Sequence, residues 1–140
     1  IHGVAPPRPG DPRFSKPPAD MIVPFDRFGD MMHECRRMFA ERDLDLAVWG
    51  HISDGNVHPN VIPRRGDDVI RGRDAILELG EWVIAQGGCP LAEHGVGRNP
   101  IKQELLRRLY GTSGVYAMRA IKLSLDPYAS LASGVIFPSQ

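Results

Sequence analysis

This sequence of 140 residues lacks several features that would narrow its function at once. It has no run of about 18 apolar residues, so no segment predicts a transmembrane helix. Its 17 basic and 17 acidic residues give a formal charge of zero, so no net field attracts nucleic acid. The two cysteines, Cys35 and Cys89, are 54 positions apart and form no CxxC pair. This argues against a disulfide framework or a thiolate zinc site and favours a reduced cytoplasmic setting.

The beginning of the chain, Ile1-His2-Gly3-Val4, has neither the charged nor the apolar region of a secretory signal. We therefore expect a cytoplasmic protein, with any membrane association made peripherally through partner subunits. The chain also begins without methionine, which suggests a piece of a longer protein. No Walker A loop, HExxH or GxSxG motif is present. A GxGxxG fingerprint is missing too, because Pro100 stands where its third glycine would be.

Prolines divide the chain into two parts. Six of the 13 prolines fall in the first 18 residues, where they remove backbone donors and prevent a continuous helix or central strand. Residues 1–19 are therefore interpreted as a proline-rich arm or linker, and residues 20–140 as one folded domain.

The apolar spacing within the domain alternates between strand and helix patterns. It predicts an α+β fold of the ferredoxin-like split βαβ type, an antiparallel sheet covered by helices, with extra C-terminal helices. The predicted elements are strands over 20–24, 44–49, 57–62 and 89–93, and helices from Asp26 and over 67–86, 101–110 and 115–125. The two middle strands form a hairpin around the polar turn at 53–56.

Histidines cluster at two glycine-rich turns. His51 and His58 flank the hairpin turn, so their imidazoles can converge from neighbouring strands, and Glu93-His94 lies in a second turn. Two imidazoles and the Glu93 carboxylate would suit zinc, manganese or iron and leave coordination positions open for a substrate. The alternative is that these histidines only donate hydrogen bonds to their turns, and residue types alone leave both interpretations open.

Three motifs in order resemble a known family, the C-terminal domain of the FAD-linked oxidases. That group contains the glycolate oxidase D subunit, D-lactate dehydrogenases and D-2-hydroxyglutarate dehydrogenase. The motifs are Gly50-His51-x-x-Asp54-Gly55-Asn56-x-His58-x-Asn60, Glu93-His94-Gly95-x-Gly97 and Met118-Arg119-Ala120-Ile121-Lys122-x-x-Leu125-Asp126-Pro127.

The resemblance implies a divalent metal held by His51, His58 and Glu93, a catalytic base at His94 and a substrate contact at Asn60. It also implies that a small 2-hydroxy acid is oxidised to a 2-oxo acid by hydride transfer to FAD. In the family, FAD lies mainly on a separate N-terminal domain, which these residues do not supply. We therefore expect a cap domain whose partner is a FAD-binding domain or subunit, and which does not turn over alone.

The chain departs from the family pattern at several positions. Ser53 stands where glycine is common in the family, and Ala132-Ser133-Gly134 replaces Asn-Pro-Gly. Near the place where the family has a lysine, this chain has Pro100, and Lys102 follows two positions later. Two alternatives from other classes remain. One is a stand-alone metal-dependent hydrolase, and the other is a non-catalytic assembly module whose sheet pairs with another protein or forms a homodimer.

Overall fold

The computed structural model describes residues 19–138, so the predicted arm lies outside the described residues except for Ala19. Short 3-10 helices at Phe25–Arg27 and Ile52–Asp54 accompany three strands and three longer helices. These are β1 (Met21–Ile22), α1 (Phe28–Glu41), β2 (Asp45–Trp49), β3 (Asn56–Ile62), α2 (Asp68–Ala85) and α3 (Pro100–Leu125).

The strands form one antiparallel sheet in the order β1-β3-β2. Met21 pairs with Val57, and Trp49 pairs with His58, so the predicted hairpin and the α+β class are confirmed. The ferredoxin-like arrangement of four strands stays a prediction.

The predicted strand over 89–93 is wrong in its extent, because only a single bridge joins Cys89 to Ile22. Their backbones exchange hydrogen bonds of 2.8 and 2.9 Å, and the ladder then stops. Pro90 has no N–H to donate, and the N–H groups of Glu93 and His94 bond to the side chain of Asp20 instead of to a neighbouring strand.

The central strand β3 is buried on both faces. Side chains alternate along a strand, so Val57 and Val61 share one face with Pro59, while Asn56, His58 and Asn60 lie on the other. The first face is apolar and belongs to the hydrophobic core. The second face is polar, and it carries the two predicted site residues of this strand.

Helices α1 and α2 cover the apolar face. Their buried side chains include Met31, Met38 and Phe39 from α1, and Ile76 and Leu79 from α2. Gly72 lets α2 approach the sheet closely, because a Cβ there would lie 2.4 Å from Cγ2 of Val61. This packing fixes the strand that carries the site.

The two predicted C-terminal helices both lie within α3, which is divided by a kink at Gly111, with φ 68° and ψ 173°. Asn99 caps its start, since its Oδ1 accepts from the N–H groups of Ile101 and Lys102 at 2.9 and 3.2 Å. The first turns bury Ile101 and Leu105, whereas no residue of 107–125 is buried.

Both cysteines are free thiols, with Cys35 buried and Cys89 partly exposed. None of the helices within residues 19–138 combines the length and apolar character that crossing a lipid bilayer requires.

Candidate metal centre

The candidate centre lies on the polar face of the sheet, where four segments meet. Asp20 precedes β1, His51 lies in the loop after β2, His58 is on β3, and Glu93-His94 belongs to the turn between α2 and α3. Segments far apart in sequence thus supply side chains to one place.

The hairpin brings His51 and His58 together, but not as direct cross-strand neighbours. Trp49 is the residue opposite His58, and His51 lies two positions beyond it in the loop. Gly50 permits this departure from the strand with φ 151°, and a Cβ there would lie 2.4 Å from the carbonyl oxygen of Asn56. The two imidazole rings end perpendicular to each other, with centroids 6.4 Å apart.

Glu93 connects the histidines. Its Oε1 lies 2.8 Å from Nε2 of His58 and 3.2 Å from Nε2 of His94. Its Oε2 lies 3.7 Å from Nε2 of His51. The predicted ligands and the predicted base therefore converge on one carboxylate.

Asp20 is a fully buried carboxylate that the motif analysis missed. Its Oδ2 accepts from the backbone N–H groups of Glu93 and His94 at 2.9 and 2.6 Å. Its Oδ1 lies 3.5 Å from Nδ1 of His58. One signal was available in the sequence, because Asp20 directly precedes the apolar Met21 in the strand predicted over 20–24, and adjacent residues of a strand face opposite sides.

Lys102 places a buried positive charge near this carboxylate. Its Nζ donates to the carbonyl oxygen of Gly95 at 2.8 Å and lies 3.8 Å from Oδ2 of Asp20. A buried carboxylate is costly unless it is paired and hydrogen-bonded, so Lys102 offsets part of the cost of burying Asp20. Lys102, which lies two positions after Pro100, thus reaches the centre from the first turn of α3.

Buried polar atoms without hydrogen-bond partners concentrate at this centre. Among the described residues, three of the four such side-chain atoms lie on the polar face: Oδ1 of Asp20, Oδ1 of Asn56 and Nδ1 of His58. Each such atom costs about 1–3 kcal/mol, and such costs are tolerated at functional sites. Asn56 was predicted as a turn former, but it is the buried first residue of β3.

The donor atoms fit a divalent ion. One nitrogen or oxygen each from Asp20, His58, Glu93 and His94 lie within 4.8 Å of one another, but Asp20 faces Nδ1 of the two imidazoles whereas Glu93 faces Nε2. Imidazole nitrogen with carboxylate oxygen is a donor set suited to zinc, manganese or iron. His51 is outside this compact group, and its side chain is 64% exposed.

Asn60 lies on the same face as His58, two residues further along β3, and is buried. Its Nδ2 donates to the carbonyl oxygen of His58 at 2.7 Å. The predicted substrate contact is therefore next to the centre along the strand.

A groove of about 580 Å³ lies elsewhere, between α1 and β2. Apolar side chains such as Phe28, Met32 and Val48 line it, and it contains none of the predicted ligands. The chemistry-bearing groups are therefore separate from this apolar groove.

Comparison with known sequences identifies the family. The sequence model of the family described as "FAD linked oxidases, C-terminal domain" matches residues 16–136. The chain belongs to this family. Membership gives no support to the metal-dependent hydrolase alternative.

Relatives of this FAD-linked oxidase domain include named enzymes. Glycolate oxidase subunit GlcD of Bacillus subtilis is 32% identical over 120 residues, covering 84% of this chain and 25% of that protein. Probable D-lactate dehydrogenase, mitochondrial, of Danio rerio is 30% identical over 122 residues, covering 86% and 24%. D-2-hydroxyglutarate dehydrogenase, mitochondrial, of Bos taurus is 30% identical over 122 residues, covering 86% and 22%. The chain spans about a quarter of the length of these relatives.

Proposed function

We propose that this domain binds the metal and the substrate of a flavin-dependent oxidoreductase that converts a small 2-hydroxy acid into a 2-oxo acid. The observation that carries the proposal is the contact of one carboxylate, Glu93, with the Nε2 atoms of His58 and His94. The names of the relatives support a hydroxy acid of the glycolate, D-lactate or D-2-hydroxyglutarate type. Residues 20–140 would form the domain and residues 1–19 the arm that connects it to a FAD-binding domain or subunit.

The proposed metal ligands are His51, His58 and Glu93. When bound, a zinc, manganese or iron ion supplies Lewis acidity that polarises the hydroxyl and carboxylate of the substrate. His58 is held rigidly, because it is buried on the central strand. His51 is on a loop and exposed, so it is the ligand that can move to complete the site.

His94 is the proposed general base. Its side chain is 56% exposed, so a substrate can reach it, and its Nδ1 lies 3.6 Å from Oδ2 of Asp20. With a proton on Nδ1 facing Asp20, Nε2 carries the lone pair that accepts the proton of the substrate hydroxyl. The hydride from the α-carbon would pass to FAD, so the substrate would lose one proton and one hydride, which together are two protons and two electrons.

Asn60 is the proposed substrate contact. Its Nδ2 already donates to the backbone of His58, which fixes the amide group on the polar face. A side chain fixed this way can orient the substrate carboxylate without first losing rotamer freedom.

The flavin and the location of the enzyme are part of the same proposal. FAD would be held outside these residues, and the assembled enzyme would lie in the cytoplasm, bound to a membrane at most through partner subunits.

Metal analysis of the chain tests the proposal. After removal of metal with a chelator and reloading with Zn²⁺ or Mn²⁺, we expect about one ion per chain. His51→Ala and His58→Ala should abolish retention, whereas His94→Ala should retain the ion and lose activity in the complete enzyme. His33→Ala is the control, because His33 is an exposed histidine on α1. Unchanged metal content in His51→Ala would show that the ligand assignment is wrong.

A further inference from the structure

Asp20 contacts every part of the centre except His51. We infer that Asp20 is the positioning residue of the metal centre: Oδ1 orients His58 through its Nδ1, and Oδ2 holds the backbone that carries Glu93 and His94. The inference rests on the proposed metal site, and it concerns a residue that would contact neither the metal nor the substrate.

The first support is the backbone between residues 92 and 94. Three consecutive N–H groups end on Asp20: that of Ala92 on its carbonyl oxygen at 3.2 Å, and those of Glu93 and His94 on Oδ2. This segment belongs to no helix or strand, so no regular backbone ladder fixes it. The position of the Glu93 carboxylate therefore depends on a residue 73 positions earlier in the chain.

The second support is a complementary pair of unpartnered atoms. Oδ1 of Asp20 and Nδ1 of His58 are both buried without a hydrogen-bond partner, and they lie 3.5 Å apart. Oδ1 is an acceptor, and Nδ1 is a donor when it carries the imidazole proton. A closer approach of a few tenths of an ångström gives an ordinary hydrogen bond and removes both costs.

The third support is that the two carboxylates lie on opposite edges of the imidazoles. Asp20 faces Nδ1 of both His58 and His94, at 3.5 and 3.6 Å. Glu93 faces Nε2 of both, at 2.8 and 3.2 Å. An ion held by Nε2 of His58 and by Glu93 would therefore be on the opposite side of the His58 ring from Asp20.

This arrangement has a chemical consequence at His58. A proton fixed on Nδ1 by Asp20 leaves a lone pair on Nε2, directed at a carboxylate oxygen 2.8 Å away. Two acceptors at that distance repel each other unless a proton or a cation lies between them. Asp20 thus prepares Nε2 for a cation, as carboxylate partners of metal-binding histidines do.

The test is nitrogen NMR of the metal-free Glu93→Ala chain at a pH where His58 is neutral, because this variant removes the acceptor that competes for a proton on Nε2. We expect the imidazole proton of His58 on Nδ1, facing Asp20. In Asp20→Asn the amide oxygen can still accept from the backbone N–H groups, while the NH2 group faces Nδ1. Added to Glu93→Ala, this substitution should move the proton to Nε2. Made alone, it should lower Zn²⁺ affinity in chelator competition by about 10- to 100-fold.

Asp54→Asn is the matched control, because Asp54 is an exposed carboxylate in the neighbouring turn. It should change neither the tautomer nor the affinity. A His58 protonated on Nε2 in the Glu93→Ala chain overturns the inference, and this holds even if Asp20→Asn does not fold. An unchanged tautomer when Asp20→Asn is added to a folded Glu93→Ala chain also overturns it. If the tautomer depends on Asp20 but the wild type binds no ion, the positioning role stands and the proposed metal site is wrong.

Discussion

The two faces of β3 are both buried, but they achieve burial by different means. On one face, Val57 and Val61 pack against helices in a continuous hydrophobic core. On the other, Asn56 and His58 are nearly as buried, yet each has a polar atom without a partner. The residues of the apolar face thus stabilise the fold, whereas those of the polar face form a preorganised site and lower the stability of the fold.

The largest expected difference is in unfolding free energy. Leu79→Ala, in the buried face of α2, should lower the free energy of unfolding by about 2–5 kcal/mol, because it removes apolar contact and leaves a cavity. Leu125→Ala, at a side chain 82% exposed, should change it by less than about 0.5 kcal/mol. Urea unfolding followed by circular dichroism measures both. Equal losses would contradict the assignment of the core to this face.

The loop between β2 and β3 affects both the stability of the fold and the position of His51. Gly50→Ala puts a Cβ into the backbone of Asn56, and we expect a loss of about 1–3 kcal/mol together with weaker metal binding as His51 is displaced. Gly29→Ala is the control, because nothing lies within 4 Å of its added Cβ. In α1 this control should stabilise the protein by up to about 1 kcal/mol. Full metal affinity in Gly50→Ala would refute the role of this turn.

On the polar face, the free energy of unfolding should depend more on bound metal than on shortening a side chain. His58→Ala in the metal-free chain should change the unfolding free energy by only about 1 kcal/mol, since loss of the contact between Nε2 and Glu93 is partly offset by removal of Nδ1, which has no partner. Zn²⁺ at about 100 times its dissociation constant should stabilise the wild type by about 2.7 kcal/mol and His58→Ala not at all. Thermal unfolding with and without Zn²⁺ measures this. Equal stabilisation of both proteins would break the distinction between the faces.

The smallest expected effect concerns a carboxylate whose partners are complete. Oδ1 of Asp126 accepts from Ser130, and Oδ2 accepts from Leu131 and from Nζ of Lys122. The Lys122 hydrogen bond is the main cause that lowers the pKa of Asp126 from 3.8 to about 2. Because this pKa is lower in the folded state, the stabilisation is present above the ordinary pKa and is lost as the pH falls to about 2.

A carbon NMR titration checks the Asp126 prediction. The carboxyl should titrate near pH 2 in the wild type and at a higher pH in Lys122→Met, where the ammonium is gone. A wild-type midpoint near the ordinary value of 3.8 would contradict it. Asp20 differs from Asp126 because one of its oxygens has no hydrogen-bond partner. The unpartnered oxygen is therefore a feature of the metal centre and not of every buried carboxylate.

Local patterns predicted the parts of the fold that local sequence controls. The hairpin around 53–56 was predicted because a polar, glycine-containing turn separates two apolar runs. The helix predicted over 67–86 ends where expected, and Gly87 follows it with φ 77°. The convergence of His51 and His58 followed from the same hairpin. The position of His51 beyond the paired strands did not, because it depends on the conformation of Gly50.

The contacts of Asp20 depend on distant sequence and could not be predicted in this way. Nothing near residue 20 indicates that residues 92 to 94 will pack against it. A strand over 89–93 would bond its N–H groups to a neighbouring strand, whereas those of Glu93 and His94 bond to Asp20. The acceptor in the structure is thus a buried side chain, Oδ2 of Asp20, and not the backbone of another strand. The resulting turn carries Glu93 and His94 toward the histidine of the central strand.

The most direct test of the account is the position of a bound ion. Crystals of the complete enzyme loaded with Zn²⁺, measured at the zinc absorption edge, should show an anomalous peak at about 2.0–2.2 Å from Nε2 of His58 and from an oxygen of Glu93. The ion should lie on the side of His58 opposite Asp20. A peak bound to Asp20, or no peak on the polar face of the sheet, would contradict the account.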